Sequence, residues 1–234
     1  MTITLNGTTG ITSTGITETS DGNVGIGTSS HYDASTKLTV AGRINTSNGT
    51  AIGSMNYGGG AVVNIGSLSN HPVQLMTNNT TRVVVDSDGR VTMPYQPMAT
   101  FYGTSVVTAT EAAIISWLNS AHEQGGLTAN TSTNRFTVPV AGKYFVAVNI
   151  TMSATATNDV GDGIYLNIKK NGSVYLANNA QAMFRFGSTS GEETLFNHSM
   201  IVSCSANDYV DFSFTSIGST AVIQYGSAHI YLIG

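Results

Sequence analysis

Residues 21–97 carry short apolar and β-branched runs, NVGIG, KLTVAG, AVVNIG, PVQLM, RVVVDS and RVTM, each cut off within a few positions by Gly, Asn or Asp. Runs that short, spaced that closely, fit strands of about four to six residues joined by tight turns better than any helix. Two joints share one signature: SDGNV (Ser20 to Val24) and SDGRV (Ser87 to Val91). An Asx or type I′ turn at such a Ser-Asp-Gly reverses the chain, and the Val that follows can point away from solvent. The whole stretch holds too few large hydrophobes for an independent core. Intertwining with identical chains would supply the missing burial.

Composition agrees with a β-rich reading. The chain has 234 residues and 41% apolar content, enough for a buried core in one large or two modest domains. Charged residues make up 9%, against an average of about 25%, while Ser, Thr and Asn fill 77 positions. Net charge is −4 and no run of Lys or Arg occurs. Phosphate neutralisation needs clustered cations, so nucleic acid is not an expected partner. Cys204 is the single cysteine, which leaves no disulfide within the chain and no Cys-based zinc site. The start, MTITLNGTTGIT, lacks a basic region and an apolar region, and no 18-residue apolar run follows. Neither a signal peptide nor membrane insertion is therefore expected.

MPYQPM (Met93 to Met98) interrupts the pattern with two prolines that cannot donate to a ladder, which places a boundary near 97. Beyond it, TATEAAIISWLNSAHEQGG spells one helix over 108–124: Thr108 and Glu111 stand at capping-box spacing, Ala112, Ile115 and Leu118 or Trp117 follow at helical intervals, and Gly125-Gly126 ends it. Long alternating strands come next. The clearest puts Tyr144, Val146, Val148, Ile150 and Met152 on one face and Phe145, Ala147, Asn149 and Thr151 on the other. Both faces carry apolar residues, as in a strand buried by a sandwich partner on one side and by a neighbouring subunit on the other.

From these residues a family likeness emerges. TSTNRFTVPVAGKYFVAVNI (131–150), IYLNIKKNGSVYL (164–176), SMIVSCSANDYVDFSF (199–214) and GSAHIYLIG (226–234) resemble the C1q-like globular head. Phe136 matches the aromatic of its Gly-X-Phe-X-X-Pro strand, and Pro139, Gly142, Tyr144 and Phe145 match the Pro-X-X-Gly-X-Tyr-X-Phe element. Asn171-Gly172 matches its Asn-Gly hairpin, and Asn207 to Val210 stands where the family has Gly-Asp-X-Val. The sequence departs from the family at Asn134-Arg135, at Gly226 to Ala228, in the aromatic directly after Tyr144, and in the insertion at 108–124. The resemblance implies a ten-stranded jelly roll, similar to tumour necrosis factor, that forms homotrimers with Phe145 and Ala147 at the trimer interface. DGNVGIGTSS, KLTVAGRI and TRVVVDSDGRV are similar to the stalks of bacteriophage tail fibres and tail spikes. Those stalks are trimeric β-structures that lack a proper core in any single chain.

Chemical motifs are sparse. No Gly-X-Ser-X-Gly elbow, His-Glu-X-X-His helix or Walker loop occurs. The five histidines are scattered without a His-X-His pair, and Asp86-Ser87-Asp88-Gly89 begins like a calcium loop but has no Glu at its twelfth position. Asp159 and Asp162 in TNDVGDG, with Glu192-Glu193, form the one place where a hard cation could bind, and solvated loop acids are the plainer reading. A polysaccharide-degrading spike would want paired acids about 5 to 9 Å apart in a groove, and acids are few here. No cofactor, metal or enzymatic activity is expected.

The combined expectation is an all-β homotrimeric fibre protein of a phage virion, with a virion attachment segment (1–20), a β-rich trimeric stem (21–97) and a C1q-like jelly-roll head (98–234). The head is expected to bind a host cell-surface glycan or protein, and the N-terminus other virion proteins. The alternative is a purely structural head fibre or decoration protein. In a jelly roll the first and last strands lie side by side and antiparallel, so loops 154–163, 177–193 and 217–221 point outward. Met183, Phe184, Arg185 and Phe186 in the longest of these, with Asp159 and Asp162, are the candidate receptor contacts, because aromatics and Arg dominate binding hot spots. A strand continuing through Phe184 and Phe186 is the competing reading of that loop.

Overall fold

The computed structural model describes residues 16–18, 24–26, 38–40, 43–58, 62–104, 108–109, 113–154, 163–176, 181–184, 191, 193–217 and 221–234. Every regular element among them is a β-strand. The chain divides into two compact units, Met1–Thr92 and Met93–Gly234.

Among its described residues the first unit contains three three-stranded sheets. β1 (Ile16–Glu18) pairs antiparallel with β2 (Val24–Ile26), which pairs parallel with β3 (Leu38–Val40). β4 (Ile44–Ser47), β5 (Ile52–Gly58) and β6 (Val62–Ser67) form an antiparallel meander, as do β7 (Val73–Thr77), β8 (Thr80–Val85) and β9 (Val91–Thr92). The six runs singled out in the sequence fall on β2, β3, β6, β7, β8 and β9. Asn78 and Asn79, both in the left-handed region (φ 48° and 55°), make the tight turn from β7 to β8.

The second Ser-Asp-Gly sits between β8 and β9, and Asp86, just before it, organises the turn. The Asp86 carboxylate accepts the backbone N–H of Asp88 and of Arg90, each at 2.9 Å. Gly89 takes the left-handed position (φ 85°). The Arg90 guanidinium closes on both Asp86 and Asp88 at 2.7 Å, which holds the Asp86 carboxyl below its usual range. The acids of this false calcium loop are thus taken up by an arginine. The first Ser-Asp-Gly, at 20–22, lies outside the described residues.

Cross-strand register lines up Ile44, Met55 and Ile65 in one row of the second sheet and Val73, Val85 and Val91 in one row of the third, with Leu75 opposite Val83 beside it. These rows face water in the single chain: Ile65 is 72% exposed and Leu75 62%. Among the described residues of this unit no hydrophobic side chain is buried.

The second unit is a two-sheet sandwich. One sheet holds β10 (Met98–Thr104), β11 (Thr108–Ala109), β12 (Trp117–Gln124), β15 (Gly142–Ala154), β19 (Glu193–Cys204) and β21 (Ala221–Leu232), in the order β12-β10-β21-β15-β19 with β11 against β21. The other holds β13 (Thr128–Asn130), β14 (Arg135–Thr137), β16 (Gly163–Lys170), β17 (Ser173–Val174), β18 (Gln181–Phe184) and β20 (Tyr209–Ile217), in the order β13-β14-β20-β16-β17 with β18 against β16. Every pair is antiparallel, and first and last strands lie together, Phe101 opposite Ala228. This is a jelly roll.

Its core lies between the inner faces. Phe101 stacks on Trp117 (centroids 5.5 Å apart) and lies 4.3 Å from Phe136, while Phe212 meets Trp117 and Phe136 edge-on. Tyr144, Val146, Val148, Ile150 and Met152 of β15 are fully buried from one side, and Ile164, Leu166 and Ile168 of β16 from the other. The Tyr144 hydroxyl donates to the Val140 carbonyl at 2.9 Å, satisfying its one polar atom. Cys204 packs there as a small hydrophobe, and burial pushes its thiol up to about 11.

The helix expected over 108–124 does not form; its described residues are strand or extended chain. Ile115 and Trp117 are buried two positions apart, and Leu118, which a helix would turn inward, is 59% exposed. Residues 113–115 run against β20, with Ile115 N–H donating to Phe212 O and Phe214 N–H to Ala113 O, and Trp117 begins the edge strand beside β10. Open sheet edges bonded this stretch, so tertiary pairing overrode its helical spacing. Gly125 and Gly126 (φ 64° and 81°) serve the β12–β13 turn and do not cap a helix.

Candidate interaction faces

Alternation on β15 decides which side chains leave the core, and register decides what gathers beside them. With Tyr144 to Met152 turned inward, Phe145 and Ala147 point outward as the sequence implied, both half-buried. Phe145 stands between Ile201 of β19 and Tyr231 of β21, its ring 5.2 Å from that of Tyr231. The next row is Ser199, Ala147, His229 and Thr100; the one after is Asn197, Asn149, Ser227 and Tyr102; then come Leu195, Thr151 and Tyr225. Ile201 is 51% exposed, Leu195 62% and Tyr225 72%. A sheet face with an aromatic–aliphatic patch at each end and small polar residues between them is therefore turned to water. The far patch borders a shallow depression of about 250 Å³ walled by Asn149, Thr151, Leu195, Tyr225 and Ser227. Strand alternation located Phe145 and Ala147; Ile201, Leu195, Tyr225, Tyr231 and His229 reach the same face through pairings with residues of β15 that are 44 to 86 positions away, a signal the sequence displays only as separate alternating runs.

His229 is the titratable group in the middle of this face. Its Nδ1 lies 3.1 Å from the Thr100 hydroxyl. Burial first, and then the neighbouring His122, lower its pKa.

The outer face of the other sheet is different. Asp211, Asn167 and Ser213 are buried polar residues there. Arg135 approaches Asp211 only to 3.7 Å and stacks over Tyr209 at 3.9 Å, and one Asp211 oxygen has no hydrogen-bond partner. Burial raises the Asp211 pKa, against the opposing pull of Lys169 and Arg135. At the sandwich end, the Asn171-Gly172 hairpin (φ 51° and 81°) is pinned by Asn171, which bonds Asp208 at 2.7 Å and accepts the Tyr209 N–H.

Of the candidate receptor residues, Met183 and Phe184 lie on β18, opposite Tyr165 and Ile164 of β16. That corrects the reading of 177–193 as one loop: the open edge of β16 accepts a short strand there. Arg185, Phe186, Asp159 and Asp162 lie outside the described residues, as does the attachment segment apart from Ile16–Glu18. Among the described residues no three His, Cys, Asp or Glu side chains gather to hold a metal ion, and no helix is long and apolar enough to cross a membrane.

No protein-family model matches the chain and no curated protein matches it in sequence. Among solved structures, the Eiger TNF of S. frugiperda is similar at 13% identity and a TM-score of 0.44, covering 59% of this chain and 93% of that one. The globular domain of the zebrafish complement 1qA protein is similar at 12% identity and a TM-score of 0.45, covering 59% of this chain and 98% of that one.

Proposed function

We propose that this chain is a non-enzymatic, homotrimeric fibre protein of a phage virion, whose stem is built from the first unit and whose jelly-roll head binds the host cell surface. The observation that carries the self-association is the first unit: three sheets, two of them with aligned apolar rows, and no buried hydrophobic side chain among the described residues. Exposed rows of Ile, Met, Val and Leu find cover in further copies of the same sheets, each fully buried side chain contributing about 1.5–3 kcal/mol. The aromatic–aliphatic patch of Phe145, Ile201 and Tyr231 on the outer face of the head sheet gives the head a surface for the same partners. Three tips that each bind a glycan or protein weakly act together through avidity, and many fibres on one particle multiply the effect. The Ser-Asp-Gly-X-Val stretches and their likeness to phage stalks place the fibre on a virion in this reading.

The experiment is binding of the full chain to candidate host cells, followed by incubation with their surface polysaccharide. Binding without cleavage supports the adhesin, cleavage replaces it with an enzyme, and no binding leaves the purely structural virion protein. Within it, the pair Phe184→Ala and Arg185→Ala tests the candidate contacts. Host binding reduced about tenfold or more, a cost of about 1.4 kcal/mol, is the expected result; unchanged binding by an assembled variant removes them.

A further inference from the structure

His229 sits at the centre of the exposed face of the first head sheet, with Ala147 of β15 on one side and Thr100 of β10 on the other. Ser227 and Tyr231 flank it along β21, and Phe145, Asn149, Met98 and Tyr102 occupy the diagonal positions. From β12 come Ala121, beside Thr100, and His122, in the bulge where two residues oppose one (φ 57°). β19 contributes Ser199 to the same row. The charged groups on the strands of this sheet are Lys143, one alternation beyond Phe145, Glu123 in the β12 bulge, and Glu193 at the far end of β19 opposite Ser153. The described hydrogen bonds give the imidazole one side-chain partner, the Thr100 hydroxyl.

We propose that His229 makes self-association of the heads pH-dependent, the faces staying covered at neutral pH and separating on acidification. This rests on the reading that a second copy covers the face. A neutral imidazole needs one donor and one acceptor, and Thr100 serves one of its nitrogens. An imidazolium needs two acceptors or water, and a covering copy removes the water while bringing its own His229 toward the same shared surface. Charging therefore costs more desolvation in the assembled form than in the separated one, and adds like-charge repulsion between copies.

The sign follows from proton linkage. Burial already lowers the His229 pKa in the single chain, and covering the face lowers it further. The separated form then binds more protons, so association is at full strength above the separated form's pKa, which lies below the ordinary histidine value of about 6.5, and weakens as pH falls through it. Each histidine whose pKa drops by one unit on association weakens it by about tenfold at acid pH, and equivalent copies multiply.

Hydroxyl-radical footprinting of the full chain at pH 7.5 and pH 5.0 reads the face directly through oxidation of Phe145, Tyr225 and Tyr231. Emission of Trp117, the single tryptophan and part of the head core, reports whether the fold persists. Protection at pH 7.5, a severalfold rise in labelling at pH 5.0 with the fold intact, and no such rise in His229→Gln is the expected result. His122→Gln should keep the response. Protection at both pH values, or an equal rise in His229→Gln, overturns the inference and leaves the covered face standing. Full labelling at pH 7.5 removes the covered face itself, and the inference with it.

Discussion

Asp211 is the residue at which this sandwich departs furthest from the rule that buried charges are paired. It alternates with Val210 and Phe212 on β20, so its side chain leaves the core side, yet it is 1% exposed with one oxygen unpartnered and Arg135 no nearer than 3.7 Å. Its raised pKa means that the folded state prefers the protonated form; stability from this group is present at acid pH and is lost as pH rises through the folded-state value. Asp211→Asn should therefore stabilise the head at pH 8 by on the order of 1 kcal/mol, with the gain shrinking toward pH 4. Thermal unfolding followed by Trp117 emission checks this, and a variant less stable than the parent at pH 8 would show that the Arg135 pair outweighs the desolvation.

At the scale of elements, two glycines separate conformational strain from crowding. Gly89, in the β8–β9 turn, has φ +85° with open space where a Cβ would stand. Gly125, in the β12–β13 turn, has φ +64°, and a Cβ there would lie 2.5 Å from the Tyr95 carbonyl oxygen and 2.6 Å from the Pro97 nitrogen, both backbone atoms. Gly89→Ala should cost about 1–2 kcal/mol of left-handed strain in the hairpin alone. Gly125→Ala must also displace the entry to β10, and should lower head stability by about 3 kcal/mol or more. Denaturant titrations of the two variants check the order, which reverses if the 95–97 segment yields easily.

At the scale of the whole molecule, the proposed trimer concentrates its cost at one side chain. Phe145→Asp places a carboxylate in the outer row between Ile201 and Tyr231, where a covering copy would strip its water and bring further copies of the same charge. Head faces should separate while the fold persists, since Phe145 lies outside the core; sedimentation together with footprinting of Tyr231 reads the outcome, and an undisturbed, protected face would mean that it is not the one covered. Removal of residues 1–20 tests the proposed attachment segment. If the proposed virion takes up the shortened chain at the parental level, attachment lies elsewhere; loss of uptake with self-association intact is the expected result.

The sequence by itself determined the all-β class, the turn residues and the two faces of β15. Those properties are local: alternation of Tyr144 to Met152, Asn-Gly at 171–172 and Asp-Ser-Asp-Gly at 86–89 each act within a few residues, where backbone sterics and side-chain direction are already decided. Phe145 and Ala147 were legible for that reason. Tertiary structure decided what local periodicity could not. Residues 108–124 carry a capping-box spacing and helical intervals, and those from 113 on became strand or extended chain because β20 and β10 offered unpaired ladder groups. Tyr225, Tyr231, His229, Leu195 and Ile201 became one face only through register with β15, and Asp211 became a buried charge only when the sandwich closed. Pairing across a sheet joins residues far apart in sequence, and its free energy depends on neighbours that no window of the chain contains.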